Sequence, residues 1–88
     1  MKHTDKINIQ VVFKNKQNKI LLVTMLKGHF LKRYTSKARE KLVMVNGSAK
    51  ITLHSQQHNL ILGNTLSIAP DSHYNIQSIT TCQILISQ

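Results

Sequence analysis

The feature that most constrains this chain is a rhythm of short apolar runs, several alternating with polar residues, cut by turn-forming residues about every eight to twelve positions. Ile7, Ile9, Val11 and Phe13 occupy every second position, the period of a strand with one face buried. The polar stretch from Lys14 to Asn18 makes a turn, and Ile20 to Met25 follows, apolar on both faces and so read as a strand covered on both sides. Gly28 ends it.

Two further strands are predicted at His29 to Thr35 and Glu40 to Val45, joined by a polar corner at 36–39. Residues 36–41 could open a helical turn, but the run Leu42-Val43-Met44-Val45 leads straight into Asn46-Gly47, a dipeptide suited to a two-residue primed hairpin. Beyond it Ala49, Ile51 and Leu53 alternate with Lys50, Thr52 and His54, giving the hairpin's partner strand. A second hairpin is assigned to Ser55 to His58, followed by strands at Asn59 to Leu62 and Thr65 to Ala69 with Gly63-Asn64 between them. Pro70-Asp71-Ser72 is a turn by composition, and Tyr74 to Ile79 and Cys82 to Ile86 complete about nine strands.

That count points to an all-β sandwich or barrel, with residues 1–88 forming one domain because a chain this short has material for a single core. The longest apolar stretch is far below the roughly 20 residues of a membrane span, and no signal-peptide pattern opens the chain, so a cytoplasmic protein is expected. The lone cysteine, Cys82, lies in an apolar run and reads as a core residue rather than a nucleophile.

Twelve Lys and Arg against three acids give a formal charge of +9, and eleven of those cations lie between Lys2 and Lys41. A field of that sign favours anionic partners. Nucleic acid is nevertheless not expected: aromatics interleave with cations only at Phe30-Leu31-Lys32-Arg33-Tyr34, where alternation sends Phe30 and Tyr34 to the face opposite Arg33.

The glycine spacing resembles that of small single-domain cupins, G-(x)5-H-x-H-(x)3,4-E-(x)6-G followed by a second motif, G-x5-P, with one more histidine. Gly28 is followed after five residues by Tyr34-Thr35-Ser36, then by Glu40 and by Gly47; Gly63 opens the second motif, which runs through Pro70 to His73 and Tyr74. The frame covers about residues 20–88. The resemblance implies a small antiparallel β-barrel, a double-sheet jelly roll of the cupin type, commonly a homodimer.

It also implies a degenerate site. Tyr34 and Ser36 stand where the family has its first two histidines, and Glu40 keeps the carboxylate. In the second motif the gapless register puts Tyr74 at the histidine position, while a one-residue deletion in the Pro70 turn would put His73 there. Hydroxyls are poor neutral ligands and a stable site takes three or four donors, so no metal, no cofactor and no catalytic residue are expected.

The expectation is a non-catalytic protein binding a small, anionic ligand inside the barrel through Tyr34, Ser36, Glu40, His73 and Tyr74, with Lys32 near the mouth. The alternatives are a weak metalloenzyme holding its ion with Glu40 and His73, and a basic module that meets an acidic partner.

Overall fold

A computed structural model describes residues 6–35 and 37–88. Nine strands follow one another: β1 (Ile7–Lys14), β2 (Lys19–Met25), β3 (Phe30–Thr35), β4 (Glu40–Asn46), β5 (Ser48–Leu53), β6 (Gln56–Ile61), β7 (Thr65–Ile68), β8 (Ser72–Ser78) and β9 (Cys82–Ser87). They form a five-stranded sheet in the order β1-β2-β9-β4-β7 and a four-stranded sheet in the order β3-β8-β5-β6, with every pairing antiparallel. Chain neighbours such as β3 and β4 fall in opposite sheets, which is the jelly-roll arrangement expected from the sequence. Among the described residues no helix is long and apolar enough to cross a membrane.

The core lies between the sheets. Leu21, Val23 and Met25 of β2, Leu42 and Met44 of β4, and Ile84 and Ile86 of β9 meet Ile51 of β5 and Tyr74 and Ile76 of β8. These are alternate residues of each strand, so the inner face of every central strand is read directly from its period of two. Cys82 is buried among them as a free thiol, in keeping with its reading as a core residue.

Three local expectations are corrected. Asn46-Gly47 does not close a hairpin: β4 and β5 belong to different sheets, and the dipeptide turns the chain from one to the other. Gly47 takes φ +84°, and a Cβ there would lie 2.4 Å from the Thr81 carbonyl oxygen, so the glycine serves close backbone approach at a sheet corner.

The two-residue hairpin turn is His54-Ser55 instead, with φ 51° and 66°, between paired Leu53 and Gln56. Residues 56–58, assigned from sequence to the turn, already belong to β6.

β1 forms, but it is not half-buried. It is the edge strand of the larger sheet, and Ile9, Val11 and Phe13 stay exposed although Ile9 and Val11 pair with inward-facing Val23 and Leu21. A bulge between Val11 and Phe13 breaks the alternation and sets Phe13 opposite Ile20.

Candidate functional site

The direction in which β3 faces decides the chemistry of the interior. Its one aliphatic residue, Leu31, pairs with fully buried Ile76 and packs on the core. Strand side chains alternate, so burying Leu31 also turns Arg33 and Thr35 inward and sends Phe30, Lys32 and Tyr34 out. The opposite assignment, with Tyr34 in the barrel, is therefore corrected by one residue. On β8 the same rule buries Tyr74 and leaves His73 exposed.

Arg33 and Tyr74 are direct partners in the β3–β8 ladder, and Glu40 enters from the start of β4 in the facing sheet. The Tyr74 hydroxyl donates to Glu40 Oε1 at 2.6 Å. Arg33 Nη2 donates to Glu40 Oε2 at 3.1 Å, and Gln88 Nε2 donates to the same oxygen at 2.5 Å. Arg33 Nε donates to the Tyr74 hydroxyl oxygen at 2.9 Å, closing a ring of contacts. Glu40 is 1% exposed, and its carboxylate accepts bonds from three side chains.

The electrostatics follow from that geometry. Burial alone would raise the Glu40 pKa, but bonds from Tyr74, Arg33 and Gln88, with the charge of Arg33, hold the carboxyl below its ordinary value. Burial and the bond to Glu40 push the Tyr74 hydroxyl well above the ordinary tyrosine range. Burial opposes the charge on Arg33, yet Glu40 and Tyr74 more than compensate and raise its pKa. An ionised pair is the stable form at neutral pH.

This donor set does not fit a divalent cation. A guanidinium lies against the only carboxylate, hydroxyl and amide groups complete the shell, and among the described residues no three His, Cys, Asp or Glu side chains come together. Nor can Glu40 and His73 share an ion, since Glu40 faces the interior and His73 the outside of the other sheet.

The remaining sequence candidates scatter. Tyr34 is 49% exposed, donates its hydroxyl to Asp71 Oδ1 at 2.9 Å, and lies with its ring centroid 4.5 Å from that of His73. Lys32 is exposed on the same outer face rather than at the mouth of the barrel. Ser36 lies outside the described residues. Of the five that are described, the structure brings together inside only Glu40 and Tyr74.

Three participants were missed from sequence: Arg33, Thr35 and Gln88. The parity of Leu31 carried the signal for the first two. Thr35 is buried, and its hydroxyl accepts from the Ser72 amide at 2.8 Å and donates to the Ala69 carbonyl at 2.7 Å, tying β3 to the turn before β8. Nothing in a pattern of periods marks Gln88.

Gln88 also borders an open cleft of about 240 Å³, lined by the β1–β2 turn from Lys14 to Lys19 and by Ala38. Lys14, Lys16 and Lys19 bring three cations to it, no carboxylate side chain lines it, and no ion pair engages these lysines among the described residues. Asn15 Oδ1 holds the turn by accepting from the Gln17 and Asn18 amides at 2.9 and 2.7 Å.

Comparison with known proteins bears on the fold. No family model matches the sequence, and no curated protein does. A cupin superfamily protein from Desulfitobacterium hafniense superposes with TM-score 0.87 at 13% identity, covering 100% of this chain and 81% of that one. KdgF from a Halomonas species gives 0.86 at 10% identity, covering 99% and 82%. A cupin-2 domain containing protein from Shewanella frigidimarina gives 0.80 at 15%, covering 98% and 83%. At these identities the likeness establishes the fold alone.

Proposed function

We propose that this cupin-fold chain is a non-catalytic binding protein for a small anionic ligand, a carboxylate or phosphate ester, taken at the end of the barrel where the lysine cleft meets the buried cluster. The cleft carries the reading: three lysines without ion pairs among the described residues surround about 240 Å³, and Gln88 on its wall is fixed by its bond to Glu40. Behind it Glu40 is fully engaged and close to a guanidinium, which removes it as a general base or a metal ligand. The interior cluster is then a scaffold for the mouth of the barrel rather than a reaction centre.

The same reading makes the chain a homodimer. Leu22, Leu85 and Val43 are paired across β2, β9 and β4 on the outer face of the larger sheet, a row of partly exposed aliphatic side chains that a second subunit would cover. A cytoplasmic setting fits the buried free thiol of Cys82.

Thermal unfolding with citrate, phosphate and sugar phosphates tests the ligand. Saturable stabilisation is expected, about 2.7 kcal/mol at 100 times the dissociation constant, and it should vanish when Lys14, Lys16 and Lys19 are all changed to alanine. No stabilisation by any anion, or a stoichiometric divalent metal in the purified protein, would overturn the reading.

A further inference from the structure

The outward turn of β3 assembles a surface that the inner cluster does not use. Phe30, Lys32 and Tyr34 project together from the outer face of the four-stranded sheet, with Phe30 61% and Tyr34 49% exposed. Across the ladder, Phe30 faces Gln77, Lys32 faces Asn75 and Tyr34 faces His73. One strand further in, Lys50 pairs with Gln77, on the same face as Phe30. The face thus alternates rings, amides and cations, which differs from the aliphatic row on the other sheet.

We propose that this face binds single-stranded nucleic acid, with Phe30 and Tyr34 receiving stacked bases and Lys32 and Lys50 meeting phosphates. Four residues of strand separate the two rings by about 13 Å, room for separate bases with the intervening backbone over Lys32. Tyr34 is pre-set for stacking: its hydroxyl is bonded to Asp71 and the His73 ring lies 31° off parallel against it, so little side-chain freedom remains to be lost. Asn75 and Gln77 offer amide donors and acceptors to base edges.

Charge selects the polyanion over a neutral sugar chain, the other ligand that aromatic and amide faces suit. The protein carries +9, and of the two acids among the described residues Glu40 is inside, paired with Arg33, while Asp71 accepts a bond from Tyr34. Asp71 is the one carboxylate at this face among the described residues, bonded to the Tyr34 hydroxyl, and Lys32 and Lys50 outnumber it.

Fluorescence anisotropy with a labelled oligothymidylate about a dozen nucleotides long, within the site sizes of sheet-based single-strand binders, tests this. Phe30→Ala and Tyr34→Ala should each weaken binding about ten-fold, the loss of one stacked base. Tyr34→Phe keeps the ring and should keep most of the affinity. Lys32→Gln should lower the slope of log affinity against log salt by about 0.7, one phosphate contact on a single strand. Circular dichroism of each variant confirms that the fold is intact.

Three results would overturn the proposal. One is no binding at low salt, and another is binding untouched by both ring variants or equally tight to a duplex of the same length. The third is salt-independent binding of a neutral oligosaccharide that the same ring variants abolish. Loss of the lysine cleft by substitution leaves these rings in place, so the two binding readings fail separately.

Discussion

Replacing Glu40 by alanine should be among the most damaging single changes available to this protein. The substitution strips Arg33, whose side chain is only 14% exposed, of its counter-charge, and leaves the Tyr74 hydroxyl and Gln88 amide without their acceptor. Breaking one side of a buried pair costs about 3–5 kcal/mol, against a total stability of about 4–13 kcal/mol for a domain of this length. The melting temperature should fall by at least about 12 °C.

The chain lacks tryptophan, so urea unfolding is best followed by far-ultraviolet circular dichroism. Changing both partners, Arg33→Met with Glu40→Met, removes the stranded charge and should recover about half of the loss, since apolar replacement of a whole buried pair is often neutral or stabilising. A cost below about 1 kcal/mol for Glu40→Ala, or a double variant no more stable than the single one, would refute the pairing.

Other outcomes follow from the same contacts. Because the folded Glu40 pKa is depressed, its ionised form contributes stability that is present above the unfolded value of 4.5 and lost as pH falls through the folded value; a pH series of urea midpoints should show that step in the native sequence and not in Glu40→Gln. Gly47→Ala places a Cβ against Thr81 and Cys82 at positive φ and should cost about 2–4 kcal/mol by urea unfolding, whereas Gly63→Ala, with open space around it, should cost clearly less. Leu85→Lys in the outer aliphatic row should convert the proposed homodimer to a monomer in light scattering while the circular dichroism spectrum is kept. The Cys82 thiol, its pKa raised by burial, should react with thiol reagents only at the rate of unfolding.

Much of the architecture was legible because period two is a property of neighbouring residues. Ile51 with Leu53 and Lys50 with Thr52 announce β5, and the turn at Pro70 separates β7 from β8, without knowledge of any partner strand. What failed depends on distant chain. Asn46-Gly47 has the residues of a hairpin, but β9 and β7 occupy both edges of β4, so β5 goes to the other sheet. β1 alternates correctly, yet whether Ile9 and Val11 are covered depends on how far the opposite sheet extends.

The site shows the same division. Glu40 and Tyr74 came from the motif frame, which agrees there with the apolar alternation of their strands, Leu42 and Met44 lying beyond one and Ile76 beyond the other on the same face. In β3 only Leu31 marks the inner face, and a motif frame that aligned hydroxyl residues with absent histidines outweighed it. The error of one position exchanged Arg33 for Tyr34, a cation for a ring, and with it the chemistry of both faces.

Glu40 is a committed partner of Arg33 rather than a carboxylate waiting for a ligand. Glu40 is the sole glutamate of the sequence, so selective ¹³Cδ labelling gives a single carboxyl resonance to follow against pH. In the folded protein its titration midpoint should lie below the ordinary 4.5. A midpoint at or above that value would contradict that pairing.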